Sequence, residues 1–125
     1  MKIIILSLLV LLPIYGFSSN WKKVAENDIG KYYIDFDSIE NKNNLVYYTD
    51  LVDFIEPFKG DYSVISRYAV DCKSENQKWL SFTTFSKNMG KGDVNNQSNP
   101  NEIIFPQANT IYFFIIKNVC NYRKQ

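Results

Sequence analysis

The chain has 125 residues, a formal net charge of +1, two cysteines and no histidine. That length supports one domain with one modest core, and near-neutral charge gives no electrostatic case for nucleic acid or an anionic membrane surface. The absence of histidine removes the commonest general base and metal ligand, while nine Tyr and nine Phe suit pleated, half-buried strands.

The chain opens on "MKIIILSLLVLLPIYGFSS", with Lys2, an apolar run from Ile3 to Leu12, the helix breaker Pro13, and small residues Gly16 and Ser18 at −3 and −1 of a cleavage site. This is the layout of a secretory signal over residues 1–18. The run is shorter than the roughly 20 apolar residues of a spanning helix; an uncleaved N-terminal anchor is the alternative. No cysteine follows the cleavage site to carry a lipid. The mature chain, 19–125, is expected outside the cytoplasm as a single domain without a membrane span. Loss of Lys2 leaves its basic and acidic residues equal in number.

The strands come next. "WKKVAE" (Trp21 to Glu26) alternates and predicts a first strand, and "KYYIDF" (Lys31 to Phe36) a second, joined by the turn Asp28-Ile29-Gly30. "DFDSIE" breaks the alternation, with Asp35 and Ser38 suited to capping a tight turn. "LVYYTDLVDF" (Leu45 to Phe54) predicts a third strand after the polar turn "NKNN". "YSVISRYAVDC" (Tyr62 to Cys72) predicts a fourth, with Val64, Ser66, Tyr68, Val70 and Cys72 on one face. "KWLSFTTFS" (Lys78 to Ser86) predicts a fifth, and "DVNNQSNPNE" (Asp93 to Glu102) a long polar loop. Short connections indicate an antiparallel meander. The final segment "ANTIYFFIIKNVC" is open between strand and helix: its residues are β-branched and aromatic, yet Ile111, Phe114, Ile115 and Val119 share a helical face. Pro106 and Asn109-Thr110 supply start signals for the helix.

Compartment decides what Cys72 and Cys120 do. Outside the cytoplasm a pair of cysteines is usually oxidised, so a structural disulfide is expected, with a free reactive thiol as the alternative. The bridge closes a long loop, worth roughly 4 kcal/mol in the chain-entropy model. Two cysteines without histidine cannot complete a zinc shell, and no metal or cofactor is expected.

Catalytic chemistry finds little support. Serine–histidine and cysteine–histidine nucleophile systems are absent. Asp50 and Asp53 stand three apart, on opposite sides of an extended strand; Asp35, near Asp37, reads as a turn cap, and Asp71 as solvated or ion-paired. The two "KGD" tripeptides, Lys59 to Asp61 and Lys91 to Asp93, echo an integrin-recognised motif but are also what surface turns are made of. "GKG" lacks the continuation of a phosphate loop, and the sequon at Asn96 to Ser98 matters only in a eukaryotic secretory pathway. A non-enzymatic protein with no catalytic residues is the expectation.

Taken in order, Trp21 with Val24, "YYID" (Tyr32 to Asp35) with Ser38 and Ile39, "YSVISRYAVDC", "FSKNMGKGDV" and a terminal "VC" resemble the surface-adhesin protein E family, small exported domains of Gram-negative bacteria. The most specific pieces are Tyr62-Ser63 with Val70 to Cys72, and Met89 to Val94; Phe36 departs from the proline frequent in the family. The resemblance spans nearly the whole mature chain. It implies an α+β fold, an antiparallel sheet of about five to six strands flanked by a C-terminal helix, with Cys72 and Cys120 joining the two. It tips Asn109 to Val119 toward helix. It also implies an adhesin-like, protein-binding module, periplasmic or on the outer surface, whose partner is a host extracellular-matrix or envelope protein. The alternative is a periplasmic domain that binds a small ligand or modulates an enzyme through a pocket between helix and sheet. A homodimer is expected from Tyr112, Phe113 and Ile116, which lie off the helical stripe, and from "YYTDLV" as an unguarded sheet edge. The competing outcome is a lid in which Ile103, Ile104 and Phe105 fold back over the helix.

Overall fold

The computed structural model describes residues 19–122; the expected signal, 1–18, lies outside them. Within that span β1 (Trp21–Glu26), β2 (Gly30–Lys42), β3 (Leu45–Phe58), β4 (Asp61–Asp71), β5 (Asn76–Phe85), β6 (Val94–Ser98) and β7 (Glu102–Ile104) precede one helix, α1 (Ile111–Asn121). The strands form one seven-stranded sheet in the order β1-β2-β3-β4-β5-β6, with β7 also on β5. Every pairing is antiparallel. The meander is therefore present, with two strands more than the five the alternation marks. Both extra strands lie in and just after the segment expected to be a polar loop. "YYTDLV" is not an edge: β3 pairs with β2 on one side and β4 on the other.

Local chemistry sets each corner. Asn27 turns β1 into β2, its Oδ1 accepting from the Ile29 and Gly30 amides at 2.9 and 3.1 Å. Gly30 is required there because a Cβ would stand 2.4 Å from the Asp53 carbonyl oxygen. Asn43 and Asn44, at φ 53 and 65, make the β2–β3 hairpin, as a tight turn matched to strand twist demands. The expected break in β2 is a register shift between Asp35 and Glu40 rather than a strand end. Asp35 Oδ1 accepts from the Asp37 amide at 3.1 Å, and Ser38 Oγ donates to the Asp35 carbonyl at 2.6 Å while accepting from the Thr49 amide at 3.1 Å. The extra residues tuck Ile39 fully into the core.

The inner face of the sheet carries Ile34, Ile39, Val46, Tyr48, Tyr68 and Val70, and α1 closes over it with Ile115, Ile116 and Val119. Thr110 caps the helix, its Oγ1 accepting from the Phe113 amide. The helix is thus confirmed, and of its expected stripe Ile111, Ile115 and Val119 do pack on the core, but Phe114 does not. Phe114 is 50% exposed, whereas Ile116 is 1% exposed and Tyr112 packs into the core. The cause is the Cys72–Cys120 disulfide. With Cys120 turned to the sheet, residues four and eight positions earlier, Ile116 and Tyr112, must face it too. Of the apolar patch that suggested a homodimer, Tyr112 and Ile116 pack into the core, while Phe113 lies outside it under Lys117. The lid does not form either: β7 pairs with β5, and Ile103 and Phe105 are exposed.

The bridge spans 48 positions and ties the helix to the end of β4. We predict no titratable thiol in the denatured, unreduced chain. The Cys72→Ser, Cys120→Ser double variant should lose about 4 kcal/mol, read from urea unfolding; an unchanged midpoint would contradict the assignment.

Candidate functional site

Two features stand out, one on each face of the sheet. On the inner face β3 places Val46, Tyr48, Asp50 and Val52 in one buried row, so alternation carries a carboxyl into the core. Asp50 is fully buried. Its Oδ2 accepts from the Tyr112 hydroxyl at 2.8 Å, and Tyr68 donates to the Tyr112 oxygen at 3.3 Å. Tyr48 stacks on Tyr68 with centroids 5.2 Å apart and donates to Gln77 Oε1. Tyr32 meets Tyr112 edge-on at 5.9 Å. Among the described residues no group hydrogen-bonds Asp50 Oδ1. Burial pushes the Asp50 carboxyl up to about 7, with hydrogen bonds from Tyr112 and the Ser66 backbone pulling back. The same burial, with the Asp50 charge, lifts Tyr48, Tyr68 and Tyr112 well above the usual phenol range. The cluster holds the helix to the sheet, and the hydroxyls of Tyr48, Tyr68 and Tyr112 each face another core group, while that of Tyr32 accepts from Asn27 at the edge.

On the outer face the rows read Trp21, Asp35, Thr49, Arg67, Ser81 and Tyr33, Leu51, Ile65, Thr83, Gln97 across the paired strands. A depression of about 880 Å³ crosses this face, with lining residues from six strands, among them Trp21, Asp35, Thr49, Ile65, Thr83 and Gln97. Arg67 beside it is held in place, donating to Thr49 Oγ1 at 2.9 Å, lying 3.8 Å from Glu40 Oε2 and stacking on Tyr47.

One end of the depression is walled by the segment after β5, where Asn88–Gly90 makes a short 3-10 turn. Ser63 pins it twice, donating to the Lys87 carbonyl at 2.7 Å and accepting from the Gly90 amide at 2.9 Å. Asp53 Oδ1 accepts from the Met89 amide at 2.8 Å and from Asn88 Nδ2 at 3.0 Å. Gly90, at φ +68, lies where a Cβ would come within 2.9 Å of Ile65 Cδ1. The turn covers Leu51, which is fully buried although it faces away from the helix.

The residues the sequence singled out fall into place as scaffold. Asp50 and Asp53 do occupy opposite faces and do not meet. Asp35 caps the β2 bulge, and Asp71 Oδ1 caps the next turn, accepting from the Lys73 and Ser74 amides at 3.0 and 3.2 Å. In the first "KGD", Lys59 lies over the Phe58 ring and Asp61 Oδ1 accepts from Asn95, so both side chains serve the β3–β4 hairpin. In the second, Asp93 extends the pairing beyond β5, its amide bonded to Ser86 Oγ and its carbonyl to the Ser86 amide. The Asn96 to Ser98 sequon lies in β6. Sequence reasoning passed over Asp50 as a core group; its place between Tyr48 and Val52 on the buried face was the available signal.

Comparison with known proteins agrees with this architecture. The family model described as "Surface-adhesin protein E" matches residues 21–121. Among solved structures, selenomethionine protein E of Haemophilus influenzae superposes with TM-score 0.63 at 18% identity, over 83% of this chain and 88% of that one. Protein E from non-typeable Haemophilus influenzae gives 0.60 at 17%, over 88% and 81%. No curated protein sequence matches. The Ser63 anchor makes a direct prediction. Ser63→Ala leaves the Lys87 carbonyl and Gly90 amide without their partner, so unfolding stability should fall by about 1–3 kcal/mol, with faster exchange of the Gly90 amide; unchanged exchange there would mean the turn is held otherwise.

Proposed function

The chain belongs to the surface-adhesin protein E family, and from that premise we propose that it is a non-enzymatic protein-binding module whose binding face is the open side of the sheet. Family membership makes it an adhesin-like, exported cell-surface protein of a Gram-negative bacterium. The finer reading, residues 1–18 as a removed signal and 19–125 as one domain that meets a host extracellular-matrix or envelope protein, is ours.

The observation that carries this is the depression across the outer face. Six strands at about 4.8 Å spacing make it roughly 24 Å long, the reach of about seven residues of extended chain. Its lining mixes the apolar side chains of Trp21, Ile65 and Phe85 with the polar groups of Thr49, Thr83 and Gln97, and carries one acid and one base, Asp35 and Lys91. Such surfaces bury apolar area while offering adaptable hydrogen bonds. The opposite face is occupied. Between the sheet and the middle of the helix Ile34, Tyr48, Val70, Ile115 and Val119 fill the space, and the opening that remains lies beside the first helical turn.

The test is to place a charge on each side. Retention of the oxidised chain on immobilised basement-membrane extract should fall at least about tenfold for Thr83→Glu, the loss of ~1.4 kcal/mol expected when a charge is desolvated at an interface. Phe114→Glu, on the exposed side of the helix, should leave it unchanged. The reverse pattern would move the binding face to the helix.

A further inference from the structure

Helix α1 is fastened to the sheet differently at its two ends. At the C-terminal end the Cys72–Cys120 bridge is covalent, and Tyr122 packs on Phe36 with centroids 5.2 Å apart. Lys117 pairs with Glu75 at 3.1 Å on the same half. At the N-terminal end the polar fastening is the Tyr112 hydroxyl on Asp50 Oδ2. Beside that end lies a cleft of about 620 Å³, lined by Glu26, Asn27, Tyr32, Pro106, Ile111 and Tyr112, so the first turn has open space alongside it. The segment leading in carries Phe105 exposed to solvent.

Asp50 is poorly provided for as an anion. From β2 it faces Tyr32 and Ile34, from β3 Tyr48, from β4 Ser66 and Tyr68, from α1 Tyr112, with Gln77 of β5 beyond Tyr48. Among the described residues none of the buried ones is basic and Oδ1 has no hydrogen-bond partner, so the Tyr112 hydroxyl and the Ser66 backbone are what oppose its burial. Glu26, at the cleft mouth, adds a further acid and no cation. An isolated buried carboxylate is costly, and the ways to relieve it are to bind a proton or to reach water.

We propose that α1 is a proton-gated cover: with Asp50 protonated its N-terminal half lies on the sheet, ionisation of Asp50 releases that half, and the disulfide keeps the helix hinged at its other end. Opening uncovers the tyrosine-lined inner face around Tyr32 and Tyr68. The direction follows from linkage. The carboxyl sits near 7 when covered and near its ordinary 3.8 when solvated. The covered state is therefore fully favoured below about pH 4. It loses about tenfold per pH unit from there to about 7 and levels off above.

Hydrogen exchange of the oxidised full chain tests this, with rates corrected for intrinsic chemistry. Between pH 5 and pH 8 protection of the α1 amides should fall about 10²-fold and end below that of the β3 amides. In Asp50→Asn, which stays neutral and keeps an acceptor for Tyr112, the fall should vanish. If α1 and β3 share one protection factor at both pH values, or if Asp50→Asn retains the wild-type pH dependence, the gate is wrong. Should Asp50→Asn fail to fold, Tyr112→Phe serves: loss of the donor raises the covered-state midpoint of Asp50, so the fall still begins near pH 4 but must level off at a higher pH, and an unmoved upper limit overturns the proposal.

Discussion

The Cys72–Cys120 bridge is the constraint on which the rest depends. It fixes which side of α1 meets the sheet, and so selects Tyr112, Ile116 and Val119 for burial and leaves Phe114 outside. It also decides which face of the sheet is covered. A single sheet with no second layer has one face to bury and one to leave wet. By placing the helix over the inner face, the bridge leaves the outer face without a helix. In a domain of this size the chain entropy removed from the unfolded state is a large share of net stability.

Alternation made the first five strands legible because each has one dry face and one wetter face, as in Val46, Tyr48, Asp50 and Val52 against Tyr47 and Thr49. β6 escaped notice for the same reason inverted: all five of its residues are exposed, so "VNNQS" carries no period of two. Its polar side chains fit an edge strand as well as a loop, and only pairing with β5 distinguishes them. The helix was legible as a helix, yet its phase was not. "IYFFII" offers apolar residues at nearly every position, and the direction that points inward comes from Cys120, through a covalent partner 48 positions away.

The candidate sites divide similarly. Asp50 could be seen in the sequence as an acid on an apolar face, but its partner, Tyr112, is brought to it by the fold from 62 positions away. The outer depression takes its lining from six strands, so no local stretch contains it. The stretches that carry the family resemblance do something else. Ser63 pins the turn at Gly90, Asp35 and Ser38 build the β2 bulge, Asp71 caps a turn and Cys72 bridges to the helix. These are backbone-fixing roles, demanding particular side chains at particular places, which is why they read clearly as motif. The lining of the outer depression, drawn from scattered strand positions such as Trp21, Ile65 and Gln97, imposes no such spacing.

The two features also share a strand without sharing a fate. β3 turns Asp50 inward and Thr49 and Leu51 outward, so movement of the helix could in principle disturb the outer face. The pairing argues otherwise. Around Asp50 the β3 ladder continues unbroken from Asp53 to Thr49 against β2, and from Asp53 to Val46 against β4. Backbone hydrogen bonds on both sides hold those strands in register whether or not Tyr112 is docked. The wall of the outer depression hangs from Ser63 and Asp53, whose bonds run to the turn and not to the helix. Lifting the first turns of α1 thus changes the inner face and leaves the outer one intact. The proposed binding at the outer face and the proposed opening at the inner one should consequently be independent, each removable by substitution without loss of the other.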